Sequence, residues 1–315
     1  MEYKKLGSTN LKISRLAFGC WAIGGHGWGK ISDQDSIAAI RQAWELGINF
    51  FDTADIYGLG HSEEVLSQAL GKERKKAVIA TKFGMRLDKN GKTFKDISPK
   101  WVVEALEASL RRLKVDCISL YQIHWLDAKT NISETMEALK KCQQAGKIEN
   151  IGCSNFSLAE MRQAQEVSRV ESLQAEYNLI NSNIEKEILP YCQKKKMSVI
   201  TYSPLAQGLF SGRYNIHSRF DKNHIRGRYE NWQGEKYKAG LDITEELKQV
   251  GIRYNKTPAQ TAIRWILDNP TIDCVISGII KPEEIKENSE ALGWELSLED
   301  RKLLTDYADS HYLKK

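Results

Sequence analysis

From Leu16 onward the chain alternates short β-rich apolar runs with amphipathic helical segments, and it does so eight times. The strand runs are read at Leu16–Cys20, Asn49–Asp52, Ala77–Thr81, Cys117–His124, Asn150–Ser154, Ser172–Tyr177, Ser198–Tyr202 and Cys274–Ser277. Strict alternation of strand and helix implies parallel strands joined by crossover helices. Eight such units in 315 residues favour a closed (β/α)8 TIM barrel over an open doubly wound sheet. The open dinucleotide-binding fold also lacks its fingerprint. After the first strand stands GCWAIGGHGWG, which does not have the G-x-G-x-x-G spacing.

Helix boundaries follow local signals. Ser32 or Asp33 caps the first helix and Gly47 stops it. Ser98 precedes Pro99, and Thr257 precedes Pro258, placing proline at the first helical position. Ser133 is expected as the cap of a helix ended by Gly146, and Ser157 as the cap of the next. YKKLG and LKIS, joined by Ser8-Thr9-Asn10, read as an N-terminal β-hairpin. SLEDRKLLTDYADS reads as an extra C-terminal helix. The polar, aromatic stretch from Arg213 to Lys238 is long for a structureless connection, so a lid or binding loop is expected there. No Pro/Gly/Ser-rich linker marks a boundary, and residues 1–315 read as one domain.

Composition narrows the function classes. A net charge of +5, dispersed along the chain, gives no basis for a nucleic-acid or membrane partner. The six cysteines form no C-x-x-C pair and several sit in apolar runs, as expected of buried thiols in a reducing compartment. No His cluster has zinc spacing, so no metal is expected. The N-terminus has no apolar signal core, and a cytoplasmic location is the expectation.

In such a barrel, chemistry sits at the C-terminal ends of the strands. Those ends supply Asp52, then Asp55 and Tyr57; Lys82; His124; Ser154 and Asn155; Gln174, Glu176 and Asn178; and Tyr202 and Ser203. Lys82 and Asp52 on neighbouring strands predict an ion pair at the mouth. A nearby ammonium favours phenolate, so the phenol of Tyr57 is expected below its usual pKa of about 10. His124 can donate to the same substrate oxygen, completing a layout for carbonyl reduction. Trp21, Phe83, Trp125 and Trp232 are expected as substrate contacts, with Trp28 and Tyr229 nearby. The basic run within 217–238 can meet an acidic substrate or form a solvated lid surface.

These residues also carry a resemblance. FFDTADIYGLGHSEEVLSQAL closely resembles the signature around the catalytic tyrosine of the aldo-keto reductase superfamily. VIATKFG, YQIHW, GKIENIGCSNF, LQAEYNLI, ITYSPLAQGLFSGRY and ISGIIKPEEIKEN resemble its further blocks in the same order. The pattern is similar to the bacterial, channel-β-subunit-like branch. The resemblance implies Tyr57 as general acid, Lys82 and Asp52 as partners that set its pKa, and His124 as the substrate-orienting residue. It implies Ser154, Asn155 and Gln174 on the nicotinamide carboxamide and Tyr202 stacked on the ring. Trp21, Ser203, Leu205, Gln207, Gly208, Arg213, Gly278, Lys281, Glu284, Glu287 and Asn288 complete the implied cofactor set. It implies a small-molecule carbonyl or sugar substrate and NADP(H) as first cofactor. Glu284 departs from the Arg or Gln of many NADP-preferring relatives and keeps NAD(H) as the alternative. A cofactor-binding regulatory subunit with little turnover is the other reading of this branch.

Overall fold

A computed structural model describes residues 1–25, 27–29 and 31–312. It opens on an antiparallel hairpin, β1 (Tyr3–Lys5) and β2 (Lys12–Ser14). The barrel strands β3 (Leu16–Gly19), β4 (Phe50–Asp52) and β5 (Val78–Phe83) follow. An antiparallel ribbon, β6 (Met85–Leu87) and β7 (Thr93–Lys95), interrupts the sequence of barrel strands. The barrel continues with β8 (Ile118–Ile123), β9 (Ile148–Ser154), β10 (Ser172–Glu176), β11 (Ser198–Tyr202) and β12 (Ile272–Gly278). All neighbours are parallel, β12 pairs with β3, and the eight strands close. The TIM barrel expected from the alternation is what forms.

Alternation along each strand sorts side chains between two cores. Phe50 points inward with Ala17, Val78, Ala80, Leu120, Ile200 and Cys274. Its neighbour Phe51 points outward into the layer between strands and helices. Leu6 and Ile13 of the hairpin join the inner cluster and plug the end where the strands begin. The hairpin is fastened there by Gly7 N–H to Ser198 Oγ (2.7 Å) and Ser8 N–H to Glu171 Oε2 (2.9 Å).

The helices are α1 (Asp33–Glu45), α2 (His61–Leu70), α3 (Pro99–Leu113), α4 (Ile132–Gln144), α5 (Leu158–Val167) and α6 (Ile188–Lys195). After them come α7 (Gly234–Arg253), α8 (Pro258–Leu267), α9 (Pro282–Ser289) and α10 (Leu298–His311). Ser32, Ser98, Ser157 and Thr257 cap as expected, the last two in full capping boxes. Ser133 does not cap α4. Asn131 does, accepting the Ser133 N–H at 2.9 Å, so Ser133 lies inside the first turn.

The segment ahead of α7 is irregular but fastened. Arg219 donates to the carbonyls of Ile216 (2.6 Å) and Ser218 (2.9 Å), and Arg228 to those of Lys222 and Asn223. Arg226 Nε donates to the Gln207 carbonyl at 2.8 Å. Tyr214, Phe220, Trp232 and Tyr237 pack together beneath. Arg219 and Arg228 are thus spent on the loop's own carbonyls, and Arg226 on one outside it. Ile225 N–H donates to the Gly27 carbonyl at 2.6 Å, tying this lid to the loop after β3.

Candidate active site

The C-terminal ends of the strands open into a cavity of about 1070 Å³ that runs from Trp125 and the ribbon to α9. Its floor is an ion pair. Lys82 lies on the inward face of β5, two residues beyond Ala80, and is fully buried. Its ammonium donates to Asp52 Oδ1 (2.6 Å), the Thr53 carbonyl (2.9 Å) and the Tyr57 hydroxyl (3.4 Å). Asp52 Oδ2 accepts from Gln174 Nε2 at 2.7 Å. Buried charge is tolerated only when paired and hydrogen-bonded in this way.

Tyr57 is carried on a tight turn after β4. Gly58, Leu59 and Gly60 all take positive φ, of 59°, 56° and 99°, so two of the three are the residue type that tolerates it. Gly24 approaches so closely that a Cβ there would lie 2.6 Å from Gly58 N. The first turn of α2 locks the loop to three strands. Ser62 Oγ donates to the Cys20 carbonyl (3.0 Å) and pairs with Thr53 Oγ1 (3.0 Å). Buried Glu63 accepts from Thr81 Oγ1 and from Arg112 Nε, each at 2.6 Å.

Burial pushes the Tyr57 phenol above its ordinary pKa; the Lys82 ammonium pulls it down, and Asp52 opposes that pull. The net direction is upward, the reverse of the expected depression, because burial, aided by the Asp52 carboxylate, outweighs the pull of the ammonium. Burial alone would lower Lys82, but Asp52 and Tyr57 together outweigh it and the ammonium is held above its usual value. Burial, then the Lys82 charge, keeps His124 well below the usual histidine range. The site therefore presents a neutral phenol beside a neutral imidazole, their rings edge to face with centroids 5.8 Å apart.

The remaining expected residues divide. Asn155 donates to the His124 carbonyl (3.2 Å) and accepts from the Tyr202 hydroxyl (2.8 Å). It lines the cavity with Trp21, Ser154, Gln174, Tyr202, Ser203, Leu205, Gln207, Gly208, Arg213, Gly278, Glu284, Glu287, Asn288 and Trp125. Phe83 does not. Following inward Lys82, it points outward and stacks on Tyr121 at 4.9 Å. Trp232 is buried in the lid's aromatic cluster rather than on the wall, and Lys281 is also off the wall. Three groups on the wall had no individual cofactor or substrate role among the expected residues. The ribbon contributes Met85, Leu87 and Thr93, and its tip carries Asn90-Gly91, a hairpin signal legible in sequence. Arg226 enters from the lid, its guanidinium 5.2 Å from the Trp28 ring and 5.0 Å from the Tyr214 ring, with no carboxylate partner among the described residues. Glu176, a strand-end residue, is the third.

The Aldo/keto reductase family profile matches residues 15–309. The chain belongs to the aldo/keto reductase family. Among aldo/keto reductases, "Aldo-keto reductase YhdN" of Bacillus subtilis (strain 168) is 37% identical over 305 residues, covering 96% of this chain and 92% of that one. The "NADH-specific methylglyoxal reductase" of Escherichia coli (strain K12) is 33% identical, covering 98% and 99%. The solved structure of glycerol dehydrogenase AKR11B4 from Gluconobacter oxydans superposes with a TM-score of 0.91 at 36% identity, covering 98% and 95%. Membership places the chain among oxidoreductases of carbonyl and alcohol groups, in a family that uses NAD(P)H. No helix among the described residues is long and apolar enough to cross a membrane. Nor do the described residues hold a cluster of three His, Cys, Asp or Glu suited to a metal.

Proposed function

We propose that this aldo/keto reductase reduces a small carbonyl compound, an aldehyde, ketone or sugar, with Tyr57 as its general acid. The observation that carries the reading is the Tyr57 hydroxyl 3.4 Å from an ammonium that is itself paired with Asp52, on the wall of a dinucleotide-sized cavity. When bound, the dinucleotide supplies the hydride. Tyr57 delivers the proton to the carbonyl oxygen, and His124 shares a hydrogen bond with that oxygen. Lys82 stabilises the phenolate left behind. Asp52 fixes the ammonium and is fixed in turn by Gln174.

The cavity suits a dinucleotide along its length. Ser154, Asn155 and Gln174 would hold the carboxamide and Tyr202 the ring face. Arg226, Gln207 and Gly208 would follow the pyrophosphate. At the α9 end, Glu284 accepts from the backbone N–H groups of Ile280 (2.8 Å) and Lys281 (3.2 Å) and from Arg213 at 2.6 Å. Arg213 also reaches Glu287 at 3.1 Å. Two carboxylates thus hold one guanidinium, and Glu284 occupies the amides at the helix start. A 2′-phosphate would meet excess negative charge there, whereas a free 2′-hydroxyl can donate to a carboxylate. We therefore read the chain as favouring NAD(H), in line with the cofactor named for the methylglyoxal reductase.

A screen of aldehydes, ketones and sugars with NADH and NADPH tests this. Turnover with NADH is expected. Tight dinucleotide binding with no turnover on any substrate would overturn the enzymatic reading. Glu284→Gln keeps the amide contacts and removes the charge, so NADPH kcat/KM is expected to rise on the order of tenfold while NADH is little changed. A wild-type preference for NADPH that the substitution leaves untouched would sink the assignment to Glu284.

A further inference from the structure

Most charged groups on the cavity wall have an opposite charge in contact. Asp52 is paired with Lys82, and Glu284 and Glu287 with Arg213. Glu176 is the exception among the wall's carboxylates: no cation among the described residues bridges it. It ends β10 on the same face as Gln174, two residues on, and stands in register with Tyr202 on β11. The amide side chains of Asn181, Gln207 and Asn178 lie close enough to lower its pKa. Gln207 is itself braced, donating to Ser203 Oγ (3.0 Å) and accepting from Asn231 (3.1 Å). The titratable groups that feel the Glu176 charge are the phenols of Tyr202, Tyr229 and Tyr312. Burial raises all three, so they stay neutral around pH 7. Glu176 is therefore a fixed, neutrally framed, uncompensated acid beside the tyrosine assigned to the nicotinamide ring.

We propose that Glu176 is a specificity-determining residue for the oxidation state of the dinucleotide: it binds the cationic nicotinamidium ring of NAD+ in preference to the neutral ring of NADH. The proposal rests on the reading of Tyr202 as the ring-stacking residue. The two dinucleotides share their ribose, pyrophosphate and adenine, so contacts to those parts do not discriminate. They differ by one positive charge on the ring, which an acid without a counter-ion rewards. The same bias draws hydride out of the reduced cofactor, because positive charge develops on the ring as the hydride leaves. Arg226 fits the scheme from the other side, as a guanidinium without a carboxylate partner facing the stretch assigned to the pyrophosphate. The charges of the oxidised dinucleotide, positive ring and negative linker, would each find an unpaired opposite.

Burial raises the pKa of Glu176, and the three amides only partly offset it. Discrimination is then present where the carboxyl is ionised and fades as pH falls through its elevated pKa. Binding of NAD+ should release protons in that window, and binding of NADH should not.

The test is equilibrium binding of NAD+ and NADH, followed by protein and nicotinamide fluorescence from pH 5 to about pH 8, in wild type and Glu176→Gln. The glutamine retains the shape and one accepting oxygen while removing the charge. It is expected to weaken NAD+ on the order of tenfold, to leave NADH within about threefold, and to flatten the pH dependence of their ratio. Equal loss for both dinucleotides would assign Glu176 to a shared contact or to structure and overturn the proposal. So would a pH dependence that survives the substitution. Failure of wild type to bind either dinucleotide would instead overturn the proposed function.

Discussion

Tyr57→Phe is expected to lower kcat/KM for carbonyl reduction by roughly 10²–10⁴-fold while dinucleotide affinity stays within about threefold. The substitution removes one hydroxyl, and that hydroxyl makes one long bond, to Lys82 at 3.4 Å. Folding does not depend on it, because the turn is held by Ser62, Glu63 and the close approach of Gly24. The loss should therefore appear in kcat, with the melting temperature nearly unchanged. The wild-type pH profile has a definite sign. With Tyr57 in its proposed role, reduction needs the protonated phenol, and burial holds its pKa above the ordinary value. Reductive kcat/KM is then flat through neutral pH and falls only as pH rises through that elevated pKa. Oxidation needs the phenolate and gains over the same interval. Neutral His124 adds no limb near pH 6.5, since its pKa lies well below. A reductive profile that falls with a midpoint near 6.5 would contradict this account, as would activity that survives in the phenylalanine variant.

Asp52→Asn should be the most destabilising single change at the site. It leaves the fully buried Lys82 ammonium without its counter-ion, a situation that typically costs about 3–5 kcal/mol. In a chain of this size that is a fall in Tm on the order of 10 °C. Its pH dependence should also reverse. In wild type the folded pKa of Lys82 is raised, so the pair's contribution is fully present below the unfolded lysine pKa and is lost as pH rises through the folded one. Without Asp52, burial lowers the folded pKa below the unfolded one. Folding then releases a proton, and the variant gains stability as pH rises toward the unfolded value. Thermal melts from pH 6 to about pH 10 check the sign. Equal loss at every pH would mean that Lys82 keeps its proton by other contacts.

Much of this molecule was legible from periodicity. The strand runs overlie the barrel strands because a strand inside a barrel must be apolar on both faces, and few other segments of the chain are. Ser98-Pro99 and Thr257-Pro258 located two helix starts because a cap and a fixed φ act locally. Helix α7 was harder to read: it starts at Gly234 behind Gln233, with no side-chain cap, and carries Gly240 where Leu209 packs against the backbone. Asp52, Tyr57, Lys82 and His124 were readable as residue types at or just after strand ends, and the Lys82–Asp52 pair from their neighbouring strands. The direction of the Tyr57 shift was not, because it depends on how burial and Asp52 together outweigh Lys82. Phe83 and Trp232 show the other limit. Being aromatic and near a strand end or lid says nothing of which side of the wall a ring occupies.

The hairpin that plugs the barrel has a practical consequence. It contacts Asn49, Glu171 and Ser198, all at or just before the starts of strands. The cavity opens at the opposite pole. A surface tether attached on this hairpin would therefore orient the molecule with its entrance facing solution. Immobilised in that way, the enzyme should keep its access to dissolved cofactor and substrate.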